Sequence, residues 1–189
     1  AATGRKPVRF MFRDQLRPGA AEAVSWLQKQ GYAVELLSGD RRNVVEELAA
    51  AVGISCWRAQ QKPHDKVARL QDLADSGHKV VMVGDGLNDA PALAAAHASI
   101  SPSSAADISQ TAADFVFQGR NLLAVTETLK VAKFSHSLVM QNFSLAFFYN
   151  IIAVPLAVTG FVTPLIAAVA MSASSLIVCL NSLRLKGRS

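Results

Sequence analysis

A chain of 189 residues, half of them apolar and with a formal charge of +5, is long enough for one domain with a core plus something small. Its two cysteines, Cys56 and Cys179, lie in different regions, which excludes a disulfide framework and suits a reducing cytosolic domain. The positive charge is not a nucleic-acid signature, because Lys130, Lys133, Arg184, Lys186 and Arg188 flank an apolar block.

In chain order, residues 1–7 are polar and basic, and Ala1 opens the chain as though cut from something longer. Val8–Phe12 predicts a strand, followed by Asp14 and Arg17. Pro18 suits a first helical turn and opens a helix with Ala20, Ala23, Val24 and Leu27 on one face, ended by Gly31. Ala33–Leu37 predicts a strand that terminates at Ser38-Gly39-Asp40. Val45, Leu48, Ala49 and Val52 give an amphipathic helix closed by Gly53, and Ile54–Ala59 a short strand. Pro63 starts a helix carrying Val67, Leu70 and Ala74 inward and stopped by Gly77. Val80–Val83 reads as a buried strand of a parallel sheet, which breaks into Gly84-Asp85-Gly86-Leu87-Asn88-Asp89-Ala90-Pro91. Ala98–Ser101 and Phe115–Phe117 are candidate short strands, with a loop and at most one helical turn between them. The alternation predicts an α/β fold over residues 1–120, a doubly wound parallel sheet with right-handed crossovers.

From Ser137 to Leu183 there is no Asp, Glu, Lys, Arg or His. That is about twice the ~20 residues that span a bilayer, so residues 121–189 read as a stalk helix running into a pair of transmembrane helices. Pro155 is expected to kink the first span. The flanking lysines and arginines place both ends in the cytosol and the Gly160–Pro164 turn outside. On a helical wheel Asn142, Ala146, Tyr149, Asn150 and Ala153 share one face of the first span, and Met171, Ser175, Cys179 and Ser182 one face of the second. Such polar faces turn toward other helices, either as packing glue or as a site.

Asp85 and Asp89 are hard oxygen ligands beyond a strand end, where ligands of open α/β sheets bind, and so suggest a Mg²⁺ site for phosphate chemistry. Gly84 and Gly86 permit a tight turn, with φ > 0 if required. Ser38, with the backbone N–H groups of Gly39 and Asp40, offers a hydroxyl for a phosphoryl oxygen, although Ser-Gly-Asp is also an ordinary turn. Lys66, one turn into the helix begun by Pro63, offers a fixed ammonium, although a helical lysine is most often solvated.

Gly-Asp-Gly-Leu-Asn-Asp-Ala-Pro-Ala-Leu at 84–93 resembles the hinge motif of P-type cation-transporting ATPases, a branch of the dehalogenase-like phosphotransferases. A strand-end Ser38, then Lys66, then Asp85 and Asp89 match the second to fourth motifs of that group in order. The first motif, Asp-Lys-Thr-Gly-Thr with its nucleophile, is absent, while Asp14 with Arg17 resembles the Asp-x-x-Arg that follows the nucleotide-binding insertion. The resemblance implies a phosphorylation domain working with Mg²⁺ and ATP, whose pocket lies mostly outside this chain. Catalytic roles fall on Ser38, Gly39, Asp40, Lys66, Asp85, Asn88 and Asp89, with Gly84 and Gly86 shaping the turn. Tyr149-Asn150 and Met171-x-x-Ser174-Ser175 resemble the metal signatures of the last two spans of copper-transporting members, so Tyr149, Asn150, Met171 and Ser175 are implied ligands of transported Cu⁺. Asn181-Ser182-Leu183-Arg184-Leu185 resembles their C-terminal exit. The loop after the hinge, Leu37-Ser38-Gly39-Asp40 and Val162-Thr163-Pro164-Leu165 are similar to the copper pumps linked to cytochrome oxidase assembly. The implied partners are the nucleotide-binding, actuator and other membrane segments of the same polypeptide and the lipid of a bacterial inner membrane, with no nucleic acid. On this reading the chain alone forms no phosphoenzyme. The rival expectation is a membrane-anchored pseudo-enzyme with a binding or regulatory role.

Overall fold

A computed structural model of the protein describes residues 16–85, 87–105, 107–160 and 162–185, which divide into two compact units, Ala1–Val125 and Thr126–Ser189. The strand expected at Val8–Phe12, and Asp14, lie outside the described residues. The first unit alternates helices α1 (Ala20–Lys29), α2 (Arg42–Val52), α3 (Pro63–Asp75), α4 (Ala90–Ala95) and α5 (Asp107–Ala112) with strands β1 (Glu35–Leu37), β2 (Cys56–Arg58), β3 (Val81–Val83), β4 (Ala98–Pro102) and β5 (Phe115–Phe117). All pairing is parallel, as expected: β1 lies on β2 with Leu36 opposite Trp57, and β3, β4 and β5 follow in that order with Met82 opposite Ser99. Among the described residues no ladder joins the two sheets.

Three expectations need correction. The helix α1 opens at Ala20, not at Pro18, because Gly19 takes φ 75° and throws the chain into a turn first. On α3 the inward positions are Lys66 and Leu70, with Leu73 half-buried and Ala74 exposed, so the buried stripe is rotated from the expected one and includes a charge. β3 is not a buried central strand: Val81 and Val83 are 37% and 38% exposed, because among the described strands β3 pairs only with β4 and forms an edge. The buried strand is β4, where Ile100 is 2% exposed and Ser99 fits by exchanging hydrogen bonds with Asp114. Val45, Ala49, Leu70, Leu93 and Phe117 complete the core. Burying a side chain such as Leu93 contributes roughly 1.5–3 kcal/mol.

Glu35 at the start of β1 ties strand to strand and strand to helix. Arg58 donates from Nε at 2.9 Å, and Arg69 of α3 donates from NH2 at 2.9 Å. Burial pulls the Glu35 carboxyl up, but the two guanidinium groups outweigh it and hold it below the usual value of 4.5. A carboxylate with a lowered folded value stabilises the fold above its unfolded value and stops doing so as pH falls through the folded one. Glu35→Gln is therefore expected to cost about 1–2 kcal/mol at neutral pH, the range for hydrogen bonds to charged groups in a half-exposed setting. Thermal unfolding followed by circular dichroism should show the difference between parent and variant shrinking as pH drops below 4.5. A gap independent of pH would refute the ionic origin.

The second unit holds most of α6 (Leu123–Val158) and α7 (Pro164–Leu183), two helices long and apolar enough to cross a membrane. α6 runs from just after Asn121 and continues past Pro155 to Val158. Gly160 at φ 78° turns the chain, and Thr163 caps α7 by accepting a hydrogen bond from the Ile166 N–H. On α6 the half-buried positions are those expected, Asn142, Ala146, Tyr149 and Ala153, apart from the exposed Asn150. On α7 they are Ala167, Ala170, Ser174, Val178 and Asn181, while Met171, Ser175 and Cys179 are exposed. That stripe is offset by one residue, or about 100°, from the expected one. Small Ala and Ser side chains admit close approach on either face, so polarity did not fix the rotation.

Candidate active site

The carboxyl end of β3 carries the acidic turn. Gly84 is buried at the end of the strand, the 3-10 turn Leu87–Asp89 follows, and α4 begins at Ala90 with Pro91 in its first turn. Gly84 does not take a positive φ. It is needed because a Cβ there would stand 2.9 Å from the Asp89 Cβ, so only glycine lets the carboxylate fold back against the strand end. Gly86 lies outside the described residues, and Asn88 is exposed on the turn.

Lys66 reaches this point from α3. Pro63 begins the helix, and the Asp65 carboxylate accepts the Lys62 N–H, which holds the first turn in place. The Lys66 side chain is 10% exposed and donates from Nζ to Asp89 Oδ1 at 2.6 Å; the Asp89 side chain is 15% exposed. A buried ammonium is tolerated only when paired, so this contact explains why a lysine occupies the core stripe of α3. The structure thus brings Lys66 and the acidic turn together.

Asp85 is half-exposed and forms an ion pair through Oδ2 with Arg17 NH2, a short contact. The other Arg17 amino group, NH1, is buried without a hydrogen-bond partner among the described residues. Arg17 is the site residue that motif reading did not place; its signal was the Asp-x-x-Arg pattern with Asp14. The Ser38–Asp40 loop sits at the end of β1. There the Ser38 hydroxyl donates to Asp40 Oδ2 at 3.0 Å and accepts the Asp40 N–H, and the Ser38 carbonyl accepts the Gln61 N–H at 2.9 Å. Gly39 is exposed and closely faces the Gln61 carbonyl. Among the described residues these bonds tie the loop to itself and to residues 58–61, not to the acidic turn.

The donor chemistry fits Mg²⁺. Two carboxylates on one turn, one of them half-exposed, suit a cation that keeps several waters and takes one or two protein carboxylates plus phosphate oxygens. Among the described residues no three His, Cys, Asp or Glu side chains cluster. In the second unit Tyr149 is half-buried, the Asn150 amide donates to the Ala146 carbonyl at 3.0 Å, and Met171 is 64% exposed.

Comparison with known proteins bears on what this arrangement serves. The family model of haloacid dehalogenase-like hydrolases matches residues 5–97. The nitrogen fixation protein FixI of Rhizobium meliloti (strain 1021) is 50% identical over 177 residues, covering 94% of this chain and 23% of that protein. A solved zinc-transporting PIB-type ATPase in its E2·Pi state superposes with a TM-score of 0.86 at 30% identity, over 92% of this chain and 28% of its own. The homologues of the chain are P-type cation-transporting ATPases, of which it matches one part. A copper-transporting ATPase of Helicobacter felis (strain ATCC 49179 / CCUG 28539 / NCTC 12436 / CS1) is 39% identical over 180 residues, covering 92% of this chain and 25% of that protein. The chain thus spans about a quarter of the length of the P-type relatives it matches. Within that family the match runs across the α/β unit and both apolar helices, so the membrane segment is part of the likeness.

Proposed function

We propose that the chain is the part of an ATP-driven Cu⁺ transporter that carries most of the phosphorylation domain and two membrane spans, with α6 and α7 in the inner membrane of a bacterium and the α/β unit in the cytosol. The observation that carries the phosphoryl-transfer reading is the convergence of Lys66 on Asp89 beneath Gly84, one turn from Asp85 at a strand end. Asp85 and Asp89 would hold Mg²⁺, which supplies charge neutralisation on the transferred phosphoryl group. Lys66 orients Asp89 through one of three N–H donors and keeps positive charge beside the phosphate. Arg17 balances Asp85 and would have to yield that oxygen to a bound cation. Ser38 turns its hydroxyl from Asp40 toward a phosphoryl oxygen by rotation about one side-chain torsion. Gly39, Asp40 and Asn88 shape the two loops. The nucleophile, the ATP pocket and the remaining partners come from further segments of the same polypeptide.

The relatives named above are described as transporting zinc in one case and copper in another, so the ion is argued from this chain. No carboxylate lies between Ser137 and Leu183, and a divalent ion in low dielectric needs compensating negative charge. A thioether such as Met171 selects Cu⁺ over harder ions. Its exposure on the face of α7 next to the half-buried stripe supports a site shared with other spans. In the intact protein Met171→Leu keeps the volume and removes the sulfur. Cu⁺-stimulated ATPase is expected to fall about tenfold or more at unchanged expression, as for a lost metal contact. Unchanged Cu⁺ stimulation, or stimulation of the parent by Zn²⁺ and not by Cu⁺, overturns the assignment.

A further inference from the structure

At one end of the second unit α6 and α7 are joined by side chains alone. The Asn142 amide donates to Ser182 Oγ at 3.0 Å, and Ser182 passes its own hydrogen to the Val178 carbonyl at 2.9 Å. The Asn181 amide donates to Asn142 Oδ1 at 2.9 Å and to Gln141 Oε1 at 3.4 Å, while Arg184 donates to Asn181 Oδ1 at 3.1 Å. Every side-chain oxygen and nitrogen of Asn142 and Asn181 is thereby used. A polar network in which every one of these atoms is paired favours one arrangement, because any other breaks its hydrogen bonds.

The arrangement has a register. The two helices run antiparallel across a short turn, so residues at equal steps from the Asn142–Ser182 contact stand at the same depth. Seven residues onward, about 10.5 Å and close to two full turns, is Tyr149 on α6; seven back from Ser182 and Asn181 are Ser175 and Ser174 on α7. Two turns return each helix to nearly the same face, and Tyr149 and Ser174 are indeed half-buried like Asn142 and Asn181. Asn150 falls level with Ser174 by the same count, and Met171 one turn further on. Sliding or rotating α7 by one residue would break each bond of the network and shift Ser174 and Ser175 by about 1.5 Å and 100° relative to Tyr149.

We propose that Asn142 and Asn181 are positioning residues: their hydrogen-bonded clasp fixes the register of α7 against α6 and so sets the ion-facing groups of the two helices, with Tyr149 and Ser175 at one depth and Met171 one turn beyond. Only the last clause rests on the copper reading. The register itself is tested by cysteine pairs in the intact, membrane-embedded protein with its other cysteines replaced. Ala146 and Val178 are equidistant from the clasp and both half-buried. A short bifunctional thiol reagent should link Ala146→Cys to Val178→Cys in preference to a cysteine at Ser174 or Ser182, and Asn181→Leu should erase that preference. The second readout is the metal dependence of ATP hydrolysis. Asn181→Leu should raise the KM for Cu⁺ about tenfold, as loss of an orienting group does, with labelling from inorganic phosphate in the absence of Cu⁺ unchanged. Asn142→Ser should raise the KM likewise, and adding Ser182→Asn should restore it toward the parent's, which simple packing would not predict. No cross-link preference in the parent overturns the register. A preserved preference with unchanged KM in Asn181→Leu overturns the positioning role. If Cu⁺ does not stimulate the parent at all, the ion reading fails while the cross-links still decide the register.

Discussion

Asp85→Asn in the intact protein is expected to lower Mg²⁺-dependent phosphoenzyme formation from ATP about a hundredfold or more. The substitution keeps the shape and removes the charge that a hard cation requires, and a metal's contribution to phosphoryl transfer is worth several kcal/mol. The fold should survive it. The Arg17–Asp85 ion pair has side chains 27% and 49% exposed, and pairs of that exposure contribute only about 0–1 kcal/mol. Circular dichroism should therefore match the parent's while turnover collapses. Near-normal ATPase activity, or a collapse of the helical signal to the same extent as activity, would remove Asp85 from the Mg²⁺ site.

Lys66→Met is expected to damage stability as well as catalysis. It leaves the Asp89 carboxylate 15% exposed without its ammonium, and removing one partner of a buried pair costs about 3–5 kcal/mol. The double variant Lys66→Met with Asp89→Asn discharges both sides and should recover most of that loss in urea unfolding. It should recover no phosphoenzyme, because neither the cation ligand nor the cation beside the phosphate remains. If Lys66→Met alone unfolds at the parent's urea concentration, the ammonium is not holding a buried charge. If the double variant is active, the pair is structural only.

These two residues differ in how much the sequence disclosed. Asp85 announced itself through a dense local motif. Lys66 was legible only through its place between Ser38 and Asp89, since nothing in a helical Pro-His-Asp-Lys says that the ammonium is buried. Arg17 was visible as half of a pattern, but which carboxylate it meets depends on a contact across 68 positions. The strand β3 was misjudged because hydropathy reports the side chains and not their exposure; Val81 and Val83 are apolar and still 37% and 38% exposed, and among the described strands β3 pairs only with β4. The α/β order came through because each helix has its own punctuation: Gly31 and Gly53 at φ 82° and 77° close α1 and α2, and Pro63 opens α3. The rotation of α7 did not, because in lipid an apolar face is no guide to what it touches.

Gly19 has no room for a side chain. A Cβ there would lie 2.2 Å from Asn121 Oδ1 and 2.9 Å from Leu123 Cγ, and the neighbouring Pro18 carbonyl accepts the Leu122 N–H at 2.9 Å. Only Pro18 and Gly19 therefore separate the arginine on Asp85 from the residues that open α6. Proline fixes one torsion, and Gly19 is wedged at a positive φ, so this linkage has almost no slack. On the proposed reading, a cation that displaced Arg17 from Asp85 would pull on a stiff two-residue link anchored beside Asn121 and Leu123.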